Sequence, residues 1–336
     1  MIDWLTFRAT TAPHDPHANG AVMKFDRENN TEWIAPARLP LIGSYDASIT
    51  VRSIDTCLIE ISGNPAKFFQ GHNLWGSDFV PGLAAAMCEH VETVAGLEVR
   101  DVRSLSRVDL AALIDVGSPE KVKELIRALG SAGTLRYRGK GELMHEGTVY
   151  WGKHSRRWAL KVYDKQREVL STKTVSNLPV TAALASGKLR VELVLRGMEL
   201  QARDLRTLEQ WSTVDPMRTL AEFLETLELP DQSPRLEVAS LPRHLRAPFM
   251  QWAQGDDLRT LYPRPTFYRY RKALLAWKVD ISVPPAEPMT HTNEILGRSI
   301  GYGHLPDIRK LGFWQPSVAE RAMLPTFDPG PSVKSA

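Results

Sequence analysis

Residues 148–168 hold Lys161, Tyr163, Lys165 and Glu168 within a few positions of one another. A phenol oxygen is a nucleophile, ammonium groups neutralise a phosphate, and a carboxylate can hold a metal ion. The set therefore has the parts of a phosphoryl-transfer site. Two strands and a turn would carry it. Thr148 to Trp151 is β-branched and aromatic, Gly152 to Ser155 is turn-like, and Trp158 to Tyr163 is strand-like again. On a strand, Lys161, Tyr163 and Lys165 point to one face. If a helix instead starts near Asp164, that residue is its N-cap, and Lys165 and Glu168 stand one turn apart. A tyrosine flanked by lysines is most often a solvated strand edge, so the stretch acquires meaning only from the rest of the chain. Tyr150, on the partner strand, is a reserve nucleophile whose ordinary role would be cross-strand packing.

Asp109 and Glu192 each follow an arginine by two positions, Arg107 and Arg190. On strands such pairs share a face and are most often plain ion pairs. The alternative is that these carboxylates converge with Glu168 on a divalent cation while the arginines grip phosphates. Hard oxygen ligands suit Mg²⁺ or Mn²⁺ rather than zinc.

The elements that must position these groups follow from periodicity. Residues 2–8 alternate as a strand, and 21–25, 32–35 and 47–62 carry strand-like runs. His14 and His17 sit in a polar loop, where solvation is a better account than metal binding. Asn64 caps a short helix with Pro65 at its first position and Gly71 at its end. That helix presents Lys67 and Gln70, with His72 just beyond. A helix over 79–96, a strand-like run over 99–116 and a helix over 118–130 follow. A Gly-rich basic loop then holds Arg136, Arg138 and Lys140. In residues 188–196, Leu189, Val191, Leu193 and Leu195 face inward, and Arg190, Glu192, Val194 and Arg196 face the other way. A short helix over 177–187, a helix over 215–228 and a polar linker over 229–237 complete this part. The remainder reads as helices over 243–254, 256–261 and 266–279, the last capped by Thr266. A helix, a short helix, a Pro turn and a helix bearing Arg269, Arg271 and Lys272 resemble a helix-turn-helix that contacts DNA. An ordinary amphipathic helix is the alternative. Residues 283–290 are Pro-rich and the tail from 325 reads as disordered. No repeat of fixed period is present, although two structurally similar halves are compatible with the pattern.

The chain has 336 residues, 43% hydrophobic and 24% charged, enough for a packed core and two or three domains. Lys plus Arg exceed Asp plus Glu by only 42 to 39, so any basic surface is local. The two cysteines, Cys57 and Cys88, form no CxxC, which argues against a disulfide framework or a zinc ribbon and for a reducing cytosol. No signal peptide or membrane-length apolar run is present.

Four stretches together carry a resemblance: Asn64-Pro-Ala-Lys-Phe-Phe-Gln-Gly-His-Asn-Leu-Trp-Gly76, Ser106-Arg-Val-Asp109, Thr148–Trp151 with Ser155-Arg156 and Tyr163-x-Lys165-x-x-Glu168, and Leu189-Arg-Val-Glu192. Over roughly residues 1–280 the chain resembles the replication initiators of filamentous bacteriophages, the gene II and gene X type, relatives of plasmid rolling-circle initiators. The resemblance implies an enzyme that nicks double-stranded origin DNA through a covalent 5′-phosphotyrosine, primes synthesis from the free 3′ hydroxyl, and later cuts and circularises the displaced single strand. It implies Tyr163 as nucleophile, Lys165 beside the scissile phosphate, Asp109, Glu192 and Glu168 around Mg²⁺ or Mn²⁺, and Lys67, His72, Arg107, Arg156, Arg269, Arg271 and Lys272 toward DNA. It also implies a host helicase and polymerase as partners, self-association on DNA, no membrane, and the cytoplasm of a bacterial host. The His-hydrophobe-His metal pair of many rolling-circle nucleases does not occur, and His72 is solitary. A non-catalytic DNA-binding regulator and a hydrolytic metallonuclease are the rival functions. The expected architecture is α+β. An antiparallel-sheet nicking domain with packed helices spans 1–235, a helix-turn-helix-like region spans 236–285, and a Pro-rich extension and disordered tail span 286–336.

Overall fold

The computed structural model describes residues 1–16, 20–26, 28, 31–135, 139–144, 147–228, 241–277, 279–282 and 306–330. His17, Arg136, Arg138, the 229–237 linker and the Pro-rich 283–290 stretch lie outside the described residues. The architecture is α+β. A nine-stranded sheet runs in the order Glu142–Leu143, Thr148–Trp151, Trp158–Asp164, Lys188–Arg196, Val99–Asp115, Ile2–Thr11, Leu58–Gly63, Ser48–Ser53, Leu39–Ile42. Every pairing in it is antiparallel. The strand Leu39–Ile42 escapes sequence reading because Pro40 and its short length hide the alternation.

Two hairpins flank the three central strands, and each runs straight into a short capped helix. Ser48–Ser53 and Leu58–Gly63 lead to Pro65–Gln70, where Asn64 accepts the Lys67 N–H at 2.9 Å. Thr148–Trp151 and Trp158–Asp164 lead to Lys165–Ser171, where Asp164 accepts the Arg167 N–H at 3.2 Å. In both, a side-chain oxygen takes one of the orphan donors of a first turn. The chain thus holds two similar halves without a sequence repeat. Gly71 closes the first helix at φ 81°, a left-handed conformation that favours glycine. Glu168 therefore lies on a helix, not on a strand.

The sheet's two faces differ in chemistry. Leu189, Val191, Leu193 and Leu195 enter the main core, with Val108, Leu110 and Ile114 from the neighbouring strand. Helices Val80–Ala95, Pro119–Ala132 and Pro216–Glu225 contribute Leu83, Leu125 and Leu220 to that core. Arg190, Glu192 and Asp109 occupy the opposite face yet are buried as well, at 0%, 0% and 1% exposure. Part of that face is covered by a second apolar cluster containing Leu74, Trp75, Leu113, Val169, Ala185 and Leu324.

Within the described residues 306–330, the tail is not the expected disordered extension, as Leu324 in that cluster shows. Residues 306–330 pack on the sheet domain. The Trp314 N–H donates to the Leu113 carbonyl at 2.7 Å, Ile308 enters the main core, and Phe327 stacks on Phe69 at 4.4 Å. The aromatic residues scattered through a proline-rich segment find partners only in the folded sheet domain, which is why local sequence reading misses them.

Helices Arg243–Ala253, Leu258–Leu261 and Arg264–Leu275 enclose their own core of Leu245, Phe249, Trp252, Leu258, Phe267 and Leu274. The last helix starts earlier than expected: Pro263 is its N-cap, so Thr266 lies within the first turn. Pro265 there needs no donor and suits the opening turn. Among the described residues no helix is long and apolar enough to cross a membrane.

Candidate active site

A cleft of about 760 Å³ opens on the polar face of the sheet, between the starts of the two capped helices. Cross-strand register sets its floor. Tyr150, Lys161 and Glu192 lie in one row across three strands, and Thr148, Tyr163 and Arg190 lie in the next. Neighbouring strands are about 4.8 Å apart, so these groups must meet. The Tyr163 hydroxyl donates to Glu192 Oε1, and the Lys161 ammonium pairs with Glu192 Oε2. Arg190 Nε adds a contact to Glu192 Oε1 at 3.3 Å.

Beneath this pair lies a residue that sequence reading passed over. Asp3 Oδ1 accepts from Arg190 Nη2 at 2.7 Å, Asn73 Nδ2 at 2.7 Å and Asn64 Nδ2 at 3.1 Å. Burial alone would raise its pKa. Arg190, Lys161 and Lys165 outweigh that and hold it down at about 2. Only its place next to a strand tryptophan in the alternating first strand could have marked it. Arg190 is satisfied by Asp3, Glu192 and the Asn73 carbonyl at 2.7 Å, so it grips no phosphate.

Tyr163 is half-buried and lines the cleft. Burial first, and then the Glu192 charge, push its pKa well above that of a free phenol, with Arg190 opposing. It is therefore a neutral phenol at pH 7, with a carboxylate already on its proton. Lys161 is the ammonium nearest this pair, 5.5 Å above the Tyr163 ring. Burial would lower its pKa, but Glu192, Asp3 and Asp109 raise it above the ordinary lysine value.

Lys165 takes a different place from the one expected. It has no exposed surface and does not line the cleft. Its ammonium reaches Asn73 Oδ1 and Glu168 Oε2, both at 2.6 Å, and burial lowers its pKa. The helix starts at this residue, and the turn of direction carries its side chain inward. Glu168 is held by Lys165 and by Lys67 at 3.5 Å; burial would raise its pKa, and these cations keep it low. Asp109 is clamped by Arg107 through two contacts of 2.7 and 2.6 Å. Burial raises the Asp109 pKa, and Arg107 opposes the shift.

The expected metal set is not gathered as ligands. Among the described residues no group of three or more His, Cys, Asp or Glu side chains is placed to hold a metal ion. Arg107 occupies Asp109, Tyr163, Lys161 and Arg190 occupy Glu192, and the two lysines occupy Glu168. The donor chemistry is right for Mg²⁺ or Mn²⁺, but the oxygens as arranged do not fit one.

Of the expected DNA contacts, Lys67 and Arg107 line the cleft. His72 does not. It is 1% exposed, and its Nε2–H donates to the Pro325 carbonyl at 2.8 Å while Nδ1 faces the Leu74 N–H at 3.4 Å. Burial lowers its pKa to about 4, so it is neutral. Arg156 is exposed in the hairpin turn, roughly 20 Å along the strand from Tyr163. In the helical region Arg269 and Lys272 are exposed. Arg271 is clamped by Asp280 at 2.8 and 2.9 Å, so its role is internal. His14 is hydrogen-bonded to Thr11 and Ser53, each at 2.9 Å.

Comparison with known proteins agrees with the motifs that carried the resemblance. A family model for the N-terminal part of a phage replication-associated protein, the gene II product, matches residues 1–214, and the model for its C-terminal part matches residues 236–293. The chain is similar to the replication-associated protein of Enterobacteria phage I2-2, at 29% identity over 306 residues, covering 84% of this chain and 88% of that protein. It is also similar to the replication-associated protein of Salmonella phage IKe, at 27% identity over 132 residues, covering 35% of this chain and 29% of that one. A solved rolling-circle replication initiator protein from Geobacillus stearothermophilus aligns at 16% identity and a TM-score of 0.31, over 69% of this chain and 87% of that one.

Proposed function

The chain belongs to the phage replication-associated protein family of the gene II type, and on that premise we propose that it is a phage replication initiator that nicks and rejoins origin DNA through Tyr163. The observation that supports this most is the Tyr163 hydroxyl donating to a fully buried Glu192 inside a cation-bordered cleft. A phenol held neutral by its surroundings needs a base, and Glu192 stands where one is required. In the step, Tyr163 Oη bonds to the scissile phosphorus as its proton passes to Glu192. The bond from phosphorus to the 3′ oxygen breaks, and that oxygen takes a proton from solvent. Lys161, Arg107 and Lys67 face the phosphate and offset its charge. The phosphotyrosine conserves the broken ester, so the reverse attack by a 3′ hydroxyl reseals the strand without ATP.

No step here runs through a metal. If chelation with EDTA stopped nicking and added Mg²⁺ restored it, Glu192 and Asp109 would be the residues to hold the cation in place of their partners Lys161 and Arg107, and it would supply charge neutralisation at the scissile phosphate. The exposed Arg269 and Lys272 in the last helix support a duplex contact for the helical region. Action in the bacterial cytoplasm, self-association on the origin and hand-over to a host helicase and polymerase belong to the same proposal.

The test is a supercoiled-origin nicking assay read on a denaturing gel for protein attached to the 5′ end. Wild type should give an adduct mapping to Tyr163, and Tyr163→Phe should give neither nick nor adduct. An undiminished adduct in Tyr163→Phe overturns the assignment and points to Tyr150, which lines the same cleft. A nick without attached protein indicates hydrolysis, and binding without a nick indicates a regulator.

A further inference from the structure

Beside the Tyr163 cleft lies a second hollow of about 420 Å³, and the two share Asp164 and Arg167. One wall is the helix Pro119–Ala132, on which Lys123 and Arg127 stand one turn apart and exposed. Leu143 and Met144, from the edge of the sheet, supply an apolar bed with Ile126, and Leu143 is 44% exposed. Among the described residues, Lys123, Arg127 and Arg167 line the hollow together with Asp164, whose carboxylate accepts the Arg167 N–H. Glu120, one turn before Lys123, is the acidic group whose charge Lys123 meets on its own helix.

Cations bordering an apolar bed match the alternation of phosphate and base face along a single strand. The hollow is too small for a duplex, and it continues directly from the cleft in which Tyr163 points at its proposed phosphate. Arg167 touches both spaces, so a strand passing it would have neighbouring phosphates on either side.

We infer that this hollow is a subsite for single-stranded DNA next to the scissile phosphate. Lys123, Arg127 and Arg167 neutralise backbone phosphates, and Leu143 and Met144 support a base. The assignment rests on the reading of Tyr163 as a nucleophile toward DNA. It adds two cations, Lys123 and Arg127, and an apolar platform that neither the motifs nor the cleft itself supplied.

The test uses the full chain carrying Tyr163→Phe, so that cleavage does not interfere, and oligothymidylates of increasing length as probes. Affinity should rise in a step once the oligonucleotide spans both hollows. Adding Lys123→Gln and Arg127→Gln should remove that step, weakening the longer probes roughly tenfold and lowering the salt slope by about 1.4. The shortest probes should bind as before, and an unchanged melting temperature shows that the fold is intact. Equal losses at every length, or no loss at any, overturn the subsite. The nucleophile is read separately, in the wild-type chain. It should form the Tyr163 adduct on a short origin substrate, and absence of any adduct refutes the nucleophile while leaving the length step readable.

Discussion

The carboxylate of Glu192 meets Tyr163, Lys161 and Arg190 with no exposed surface. Such a cluster is expensive to desolvate and is tolerated because each charge has a partner. Asp3 is what balances Arg190. Asp3→Asn should keep the shape but leave Arg190 undercompensated, costing roughly 3 kcal/mol in urea unfolding. An Asn variant as stable as wild type would show that Glu192 alone suffices for Arg190. The types at Tyr163, Asp109 and Glu192 were legible as chemistry in the sequence. The Arg107–Asp109 and Arg190–Glu192 pairs were legible too, but the further partners of Arg190 and Lys165 were not, because Asp3 and Asn73 lie far away in the chain and reach the site only through strand pairing and the buried loop after Gly71. The same limit explains Lys165 and Lys161: spacing places both beside Tyr163, but the helix start turns one inward and leaves the other in the cleft.

Among the elements, the final helix separates arginines that look alike in sequence. Arg269→Ala and Lys272→Ala should each weaken duplex binding and lower the salt slope by about 0.9, as a lost phosphate contact does. Arg271→Ala should instead leave that slope unchanged and destabilise the helical region, since it strips Asp280 of a bidentate partner. A lowered slope with intact stability in Arg271→Ala would overturn this division. The loop after the first capped helix makes a pH-dependent contribution through His72. The unfolded chain protonates near 6.5, whereas the folded ring resists until about 4. Stability from this residue is therefore full above pH 6.5 and declines as pH falls through that window. Wild type should lose about 2 kcal/mol more than His72→Gln between pH 7 and pH 5 in urea titrations; parallel losses would show that His72 is not the source.

Across the whole molecule, residues 306–330 return to the sheet domain and seal the loop that holds the site. Gln70 accepts the Phe327 N–H at 2.8 Å, Trp75 donates to Thr326 at 3.0 Å, and His72 donates to Pro325. Asn73, the next residue, joins Asp3 to Lys165. Removing residues 306–336 should lower the melting temperature by several degrees and slow nicking, because Asn73 loses the packing that orients it. Phe327→Ala should reproduce part of both effects, at roughly 1–3 kcal/mol. Unchanged melting in the truncated chain would reduce the segment to a passive tail.

Local sequence was sufficient for most of the strands, the helix capped by Asn64, the three helices of the terminal region and the gathering of a phenol with ammonium and carboxylate groups, since alternation, capping residues and motif order are short-range properties; it left the stretch after Asp164 open between strand and helix. Tertiary structure alone decided which ammonium faces Tyr163, which acid balances Arg190, that the carboxylates are paired with cations rather than gathered for a metal, and that the tail folds back. Those outcomes depend on sheet register and on contacts between residues far apart in the chain, which no local pattern encodes.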